Sequence, residues 1–308
     1  TTVDYTKVRY RAPKAKLSIV DNHIIADKIA VYDPNSNVGH YSMDISLEHL
    51  SNITYDISID ANKMLVLDTD AKDNDLFYGH VYASGNASFY GDKRGIKMDI
   101  DGTSAENSKF YMPLSGKEDV SYADFVKFRE PAVEGVDTSR FITRRMMAHQ
   151  RKSRISGSSD GAMDMDISLN ILPNIEVQLV IDPTVGDIIK GRGNGTLNMR
   201  IVPSANIFDM YGDYTISDGS YLFTLQNIIN KRFVIERGST IQWTGDPLDA
   251  LLNIDAIYRL KASLKPLLEG YISQDSHSIP SRAVPVECII HLKERLTRPA
   301  VTFDVRVD

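Results

Sequence analysis

The sequence predicts an all-β protein built on antiparallel sheet, apolar on one face and wet on the other. Two observations predict it. Apolar and polar residues alternate with period two in run after run, and clusters rich in Gly and Asn fall between the runs. Successive side chains of a strand point to opposite faces, so each run presents one greasy and one polar face. Sheet buried on both faces would read as unbroken apolar stretches instead.

The runs follow one another along the chain. Ile53, Tyr55, Ile57 and Ile59 alternate with Thr54, Asp56, Ser58 and Asp60. Ile96, Met98 and Ile100 alternate with Lys97, Asp99 and Asp101. Met163, Met165, Ile167 and Leu169 alternate with Asp164, Asp166, Ser168 and Asn170, and Ile175, Val177, Leu179 and Ile181 follow directly. Leu197, Met199 and Ile201 alternate with Thr196, Asn198 and Arg200. The last strands are expected from Val286 to Leu292 and from Val301 to Val307.

Turns are expected from Asn35 to Gly39, Gly91 to Gly95, Pro183 to Gly186 and Gly191 to Gly195, because Gly and Asn supply the positive φ of tight hairpins. Gly191-Arg192-Gly193-Asn194-Gly195 reads as the clearest of them. Tyr78-Gly79, Tyr90-Gly91 and Tyr211-Gly212 form a loose internal echo of stacked β units. From about 118 to 160 the alternation fades into a short ordered, partly helical stretch and then a mobile basic loop carrying Arg140, Arg144, Arg145, Arg151, Lys152 and Arg154. The expected organisation is therefore a first β segment over 1–117, an irregular basic linker over 118–160, and a second β segment over 161–308. A second irregular stretch runs from about Leu264 to Pro285.

Bulk properties narrow the function. The net charge of −6 gives no basic field that calls for nucleic acid. The single cysteine, Cys288, can form no internal disulfide. No apolar run approaches the roughly 18–20 residues that span a bilayer. The opening TTVDYTKVRYRAP reads as the interior of a longer chain, so any targeting segment is expected elsewhere.

No enzyme motif finds its context. Gly157-Ser158-Ser159-Asp160-Gly161 spells a nucleophile elbow, but a basic loop precedes it and a strand follows, where a strand and then a helix are required. The glycines from Gly191 to Gly195 lack the Lys-Ser/Thr of a phosphate loop. The seven histidines are scattered, and Cys288 and His291 lie three apart in a strand, hence on opposite faces. Asp70, Asp73, Asn74 and Asp75 lack the pattern of a calcium loop and read as a solvated turn. No metal or cofactor is called for. The basic 140–154 stretch reads first as solvated loop and second as a contact for anionic lipid headgroups.

One long segment carries a family likeness. Tyr211-Gly212-Asp213-Tyr214-Thr215-Ile216-Ser217-Asp218-Gly219-Ser220-Tyr221-Leu222-Phe223 continues through Asn230-Lys231-Arg232-Phe233. Ile235-Glu236-Arg237-Gly238-Ser239-Thr240-Ile241-Gln242-Trp243-Thr244-Gly245-Asp246-Pro247-Leu248-Asp249-Ala250 follows, and Asn253-Ile254-Asp255-Ala256-Ile257-Tyr258-Arg259 completes it. This resembles the C-terminal domain of the TamB family, the inner-membrane-anchored subunit of the translocation and assembly module, in a Bacteroidetes-like branch. Leu76 to Gly91 resembles an upstream part of the same domain. The resemblance implies an AsmA-like bridge, a long curled sheet (a β-taco) bent into an open groove that is apolar inside. It implies a non-enzymatic protein of the periplasm, anchored in the inner membrane through an N-terminal segment absent here and ending at an Omp85-type, TamA-like outer-membrane barrel.

The expected activity is shielding phospholipid acyl chains as they pass between inner and outer membranes, in support of outer-membrane biogenesis. The lining candidates are Ile53, Ile57, Ile96, Met98, Ile100, Met165, Ile167, Val177, Leu179, Leu197, Met199 and Ile201. Each chain CH₂ withdrawn from water gains about 0.8 kcal/mol. Core and groove lining look identical in a sequence, so a closed sandwich core stands beside this reading. A scaffold that lends strand edges to nascent barrel proteins is the alternative from another class. A hydrolase using Ser159 is the least supported.

Overall fold

The structure, a computed structural model, describes residues 2–47, 53–73, 77–113, 162–182, 186–205, 207–225, 229–263, 283–296 and 298–307. The expected irregular segment at 118–160, the Gly157–Gly161 motif, and residues 264–282 of the second irregular stretch lie outside them. The strands are β1 Ser18–Val20, β2 His23–Tyr32, β3 Val38–Ser46, β4 Thr54–Thr69, β5 Tyr78–Asp92, β6 Gly95–Ser104, β7 Lys109–Pro113 and β8 Ala162–Ile171. They continue as β9 Glu176–Asp182, β10 Asp187–Val202, β11 Ile207–Leu225, β12 Ile229–Ile235, β13 Thr240–Gly245, β14 Leu251–Ala262, β15 Val284–Arg295 and β16 Arg298–Val307. Helix is confined, among the described residues, to the single turns Pro203–Ala205 and Pro247–Asp249.

All sixteen strands belong to one sheet with β1 and β16 at its edges, and neighbours in sequence are mostly neighbours in space. Three long strands are broken midway: β6 from β7 around Ala105–Ser108, β8 from β9 around Leu172–Ile175, and β12 from β13 around Glu236–Ser239. Their halves pair side by side with the same long neighbours. The sheet is antiparallel, as the alternation predicts, except at one seam: β6 pairs β8, and β7 pairs β9, in parallel. A parallel pair needs a long crossover, and the chain between β7 and β8 provides its length. The segments before and after 118–160 therefore meet as neighbours within one sheet.

The Gly191–Gly195 hairpin expected from the sequence is not a turn. These residues sit inside β10, where Gly193 faces Ile216 and Gly195 faces Tyr214. A Cβ on Gly193 would lie 2.1 Å from the Thr215 carbonyl oxygen and 3.0 Å from the Tyr214 ring. The glycines admit a close backbone and ring. Their spacing at every second position, with Arg192 and Asn194 between, is itself a strand signal.

The better internal repeat is Ala26-Asp27-Lys28-Ile29 against Ala61-Asn62-Lys63-Met64. Each is a β-bulge that opposes one extra residue to its partner strand. Lys28 and Lys63 take φ of 44° and 49°. Their amides donate to Ser42 Oγ at 3.1 Å and Ser84 Oγ at 2.8 Å. A bulge adds local twist, and two of them bend this end of the sheet.

The opposite end curls far enough to close. Phe223 on β11 and Phe303 on β16 have ring centroids 5.8 Å apart. In sheet order, β12, β14 and β15 stand between their strands, so flat sheet would separate them by roughly 19 Å. Within the curl, Met210, Ile216, Ile241, Ile254, Ile290 and Leu292 are all but inaccessible.

Candidate functional site

The register places the inward rows strand by strand, because directly opposite residues of a ladder share a face. One row runs Met43–Ile57–Phe89–Met98–Met165–Ile201–Phe208 from β3 to β11. The next runs Tyr41–Ile59–Ala87–Ile100–Ile167–Met199–Met210. A shorter one runs Ile45–Tyr55–Gly91–Ile96–Met163. The alternation of separate segments thus becomes one apolar face that crosses the molecule.

The lining candidates fall on that face. Ile57, Ile96, Met98, Ile100, Met165, Ile167, Met199 and Ile201 occupy the three rows. Leu197 follows on β10, opposite Leu169. Val177 and Leu179 face Gly191 and Ile189 further along the same strand. Ile53 lies just ahead of β4 and is exposed. Their environments differ. Ile57, Ile96, Met98, Ile100, Ile167, Val177, Met199 and Ile201 are half-buried. Met165, Leu179 and Leu197 are buried, the last two inside the closed core.

The face therefore has an open stretch and a sealed end. From Thr54 to Ala61, β4 alternates half-buried with exposed residues and buries none, and β6 buries none along its whole length. The open stretch is bounded along the strands by a row of small residues already covered. Met64 Sδ occupies the space over Gly39, and a Leu169 methyl lies 3.2 Å from where a Gly102 Cβ would be. Beyond it the N-terminal segment packs across the sheet. Val8 is fully buried, and the Tyr10 hydroxyl donates to the Leu65 carbonyl at 2.8 Å. Burial, helped by Asp33, pushes that phenol up to about 12.

At the other end of the open rows, a depression of ≈ 510 Å³ wraps the β5–β6 hairpin, with Tyr55 and Ile96 on one side and Asp92, Arg94 and Lys97 at its rim. Arg94 pairs with Asp92 at 2.8 Å. Burial, and then Asp92, raises the Tyr55 phenol.

The outward face is polar and carries mainly carboxylates. Asp99 and Asp166 stand directly opposite at the parallel seam. Lys97 bridges them at 3.6 and 3.8 Å. The Tyr90 hydroxyl and these carboxylates hold its ammonium above the usual lysine range. Cys288 faces inward opposite Tyr258, and His291 faces outward on Asp255 at 2.6 Å, so the two are on opposite faces as the sequence predicts. The Asp70 amide donates to the Asp73 carboxylate at 2.9 Å and the Lys72 amide to the Asp70 carboxylate at 2.7 Å, which closes a turn.

Sequence reasoning missed Tyr41, Met43, Ile45, Phe89 and Met163, which share the inner face with the candidates. Tyr41, Met43 and Ile45 do alternate with Ser42 and Asp44, so that signal was present. In β5 small residues such as Ala87 and Gly91 interrupt the pattern, and no apolar period marks Phe89.

Among the described residues, no group of three or more His, Cys, Asp or Glu side chains is placed to hold a metal ion. No described helix is long and apolar enough to cross a membrane. The arrangement offers surface for apolar matter and backbone edges. No curated protein matches the chain. A family model does: that of the TamB C-terminal domain, over residues 29–306.

Proposed function

The chain belongs to the TamB family, non-enzymatic bridge and assembly modules of the cell envelope with a role in outer-membrane assembly, and on that premise we propose that this segment shields phospholipid acyl chains in transit between the inner and outer membranes. The observation that carries the reading is the open stretch of the inner face. It is apolar over several adjacent strands and half-accessible, and a contiguous apolar surface of this kind marks an interaction or ligand groove. A dozen methylenes laid on it gain about 10 kcal/mol gross, from which the cost of ordering the chain is subtracted. The headgroup rests at the polar rim near Arg94. The family works in general with an Omp85-type partner. In this proposal the groove acts in the periplasm and delivers toward such a barrel.

Strand-edge pairing with nascent barrel proteins is less well supported. β1 is three residues long and follows the exposed Lys14 and Lys16. On β16 the Val305 amide is taken by the Asp304 carboxylate at 2.8 Å and Pro299 has no N–H to give, although this ten-residue strand leaves Val301, Phe303, Val305 and Val307 exposed and is the better of the two edges for a partner strand. Short strands, lysines, prolines and inward-turned carboxylates are how sheets refuse added strands.

The test is native mass spectrometry of the purified chain beside lipid extraction. The expected result is co-purifying phospholipid that disappears in the Ile57→Asp, Ile100→Asp double variant while circular dichroism and Tm hold. A lipid-free wild-type chain overturns the reading.

A further inference from the structure

Every methionine among the described residues lies on the inner face. The register places Met43, Met98, Met163, Met165, Met199 and Met210 in the three apolar rows, Met64 opposite Ala83, and Met112 opposite Leu179. Alternation alone would scatter them among all apolar positions of both ends. Instead four of the eight, Met98, Met163, Met165 and Met199, stand close together on β6, β8 and β10. Met98 and Met165 are directly opposite across the parallel seam, and Met163 lies two residues from Met165 on the same face. Met199 is opposite Ile167 on one side and Met210 on the other.

Accessibility varies across this patch. Met98, Met163 and Met199 are half-buried, Met165 is 8% exposed and Met210 1%. Past it stand Ile216, Ile241 and Trp243, all buried. Within the patch the wall mixes thioethers with Ile100, Ile167 and Ile201. Methionine is unbranched, has three rotatable bonds, and re-packs to fill irregular space, which suits it to permissive binding surfaces. Isoleucine, the other common residue of these rows, is stiff at χ1.

We propose that Met98, Met163, Met165 and Met199 form an adaptable patch in the wall of the acyl-chain groove, one that re-packs around the chain and makes the site tolerant of chain shape. The inference rests on the lipid-shielding reading. The occupant is an acyl chain because the patch is apolar and continuous with the open rows, and because those rows end at the β5–β6 hairpin in a polar rim of Asp92, Arg94 and Lys97, where a headgroup stays in water.

The experiment loads the purified chain from detergent with phosphatidylglycerols carrying lauroyl, myristoyl, palmitoyl, oleoyl or methyl-branched chains, and weighs the retained lipid by native mass spectrometry. The wild-type chain is expected to retain all of them within about threefold of one another. With Met98, Met163, Met165 and Met199 replaced by Ile, retention of oleoyl and methyl-branched lipid relative to palmitoyl is expected to fall about tenfold. A four-site Met→Leu variant, which conserves volume, gives the same comparison if the Ile variant fails to fold, with a smaller narrowing in the same direction. A flat chain profile in the folded variants overturns the role of the methionines and leaves the groove reading standing. Wild-type chain that retains no lipid of any kind overturns both.

Discussion

Two stretches of one sheet use the same alternation to opposite ends. Across β4 and β6 the inward residues remain half-accessible, whereas across β13, β14 and β15 Ile241, Leu252, Ile254, Ile290 and Leu292 are sealed. The difference lies in what the sheet does beyond each strand. Near the C-terminal end it curls until Phe303 of the edge strand meets Phe223. There the broken strand β12–β13 turns at Glu236–Ser239, with Gly238 at φ 92°. The Trp243 indole N–H donates to the Pro247 carbonyl at 3.1 Å, pinning the single helical turn against the core. The open stretch has no such closing elements among the described residues. Apolar period two thus specifies a face, and curvature decides whether that face becomes a core or a groove.

The largest expected effect tests that contrast directly. Trp243→Ala should cost about 3–5 kcal/mol, because it opens a cavity in a sealed core and removes an indole hydrogen bond. Phe89→Ala, on the open stretch, should cost well under half of that, since its ring already keeps part of its contact with water. Urea unfolding of both variants measures the difference, and equal losses would mean that the open stretch is packed as tightly as the sealed end.

Asp33 comes next, and it asks whether the open half has a rigid point of its own. The residue is fully buried. Its carboxylate accepts from the Asn35 amide at 2.9 Å, the Asn37 amide at 2.8 Å, the Asn37 side chain at 2.8 Å and the Leu65 amide at 2.9 Å. Burial alone would raise its pKa, but these four donors outweigh it and hold the group below its ordinary 3.8. A lowered folded pKa means that the ionised form stabilises the fold. That stability is present above about pH 4 and is lost as pH falls through the folded value. Asp33→Ala should cost about 2–4 kcal/mol at neutral pH, and the loss should shrink when unfolding is repeated in acid. A pH-independent loss would mean that the carboxylate's charge is not what holds the β2–β3 turn.

Tyr214→Phe should act in the reverse direction. The Tyr214 hydroxyl is buried in the sealed end without a hydrogen-bond partner among the described residues, and burial pushes its pKa up. Removing an unsatisfied buried hydroxyl should be neutral or stabilise by up to about 1 kcal/mol. A clear destabilisation would place a polar partner inside the sealed end and make it less dry than the packing implies.

Much of this contrast is legible in the sequence, but only one strand at a time. Runs such as Thr54 to Asp60 and Met163 to Asn170 identify their own strands, and the family likeness over Tyr211–Arg259 carries the curl. Inter-strand register is a different matter. Nothing local to Met98 says that Met165 will stand opposite it, because that pairing is parallel and set by the crossover between β7 and β8. Nor does the spelling of Leu179 or Leu197 separate a core residue from an accessible one. Gly191–Gly195 was misread because glycine's freedom at a turn and its slimness within a strand leave the same letters.

The smallest expected effect concerns the face where the two stretches should not differ. On the outer face of the open stretch Lys97 bridges Asp99 and Asp166, with its ammonium 5.7 Å from the centre of the Tyr90 ring. On the outer face of the sealed end Arg259 pairs with Glu287 at 2.8 Å. Both cations stand largely in water, where attraction is screened by salt and offset by the ordering of long side chains. Lys97→Ala leaves two like charges opposite each other, so a drop of about a degree in Tm is expected at low salt. It should vanish as salt is added, and Arg259→Ala should behave the same way. If instead Lys97→Ala loosens the seam strongly at any salt, the parallel pairing depends on its outer face. The division between open and sealed would then have to be argued from both faces of the sheet and not from the inner one alone.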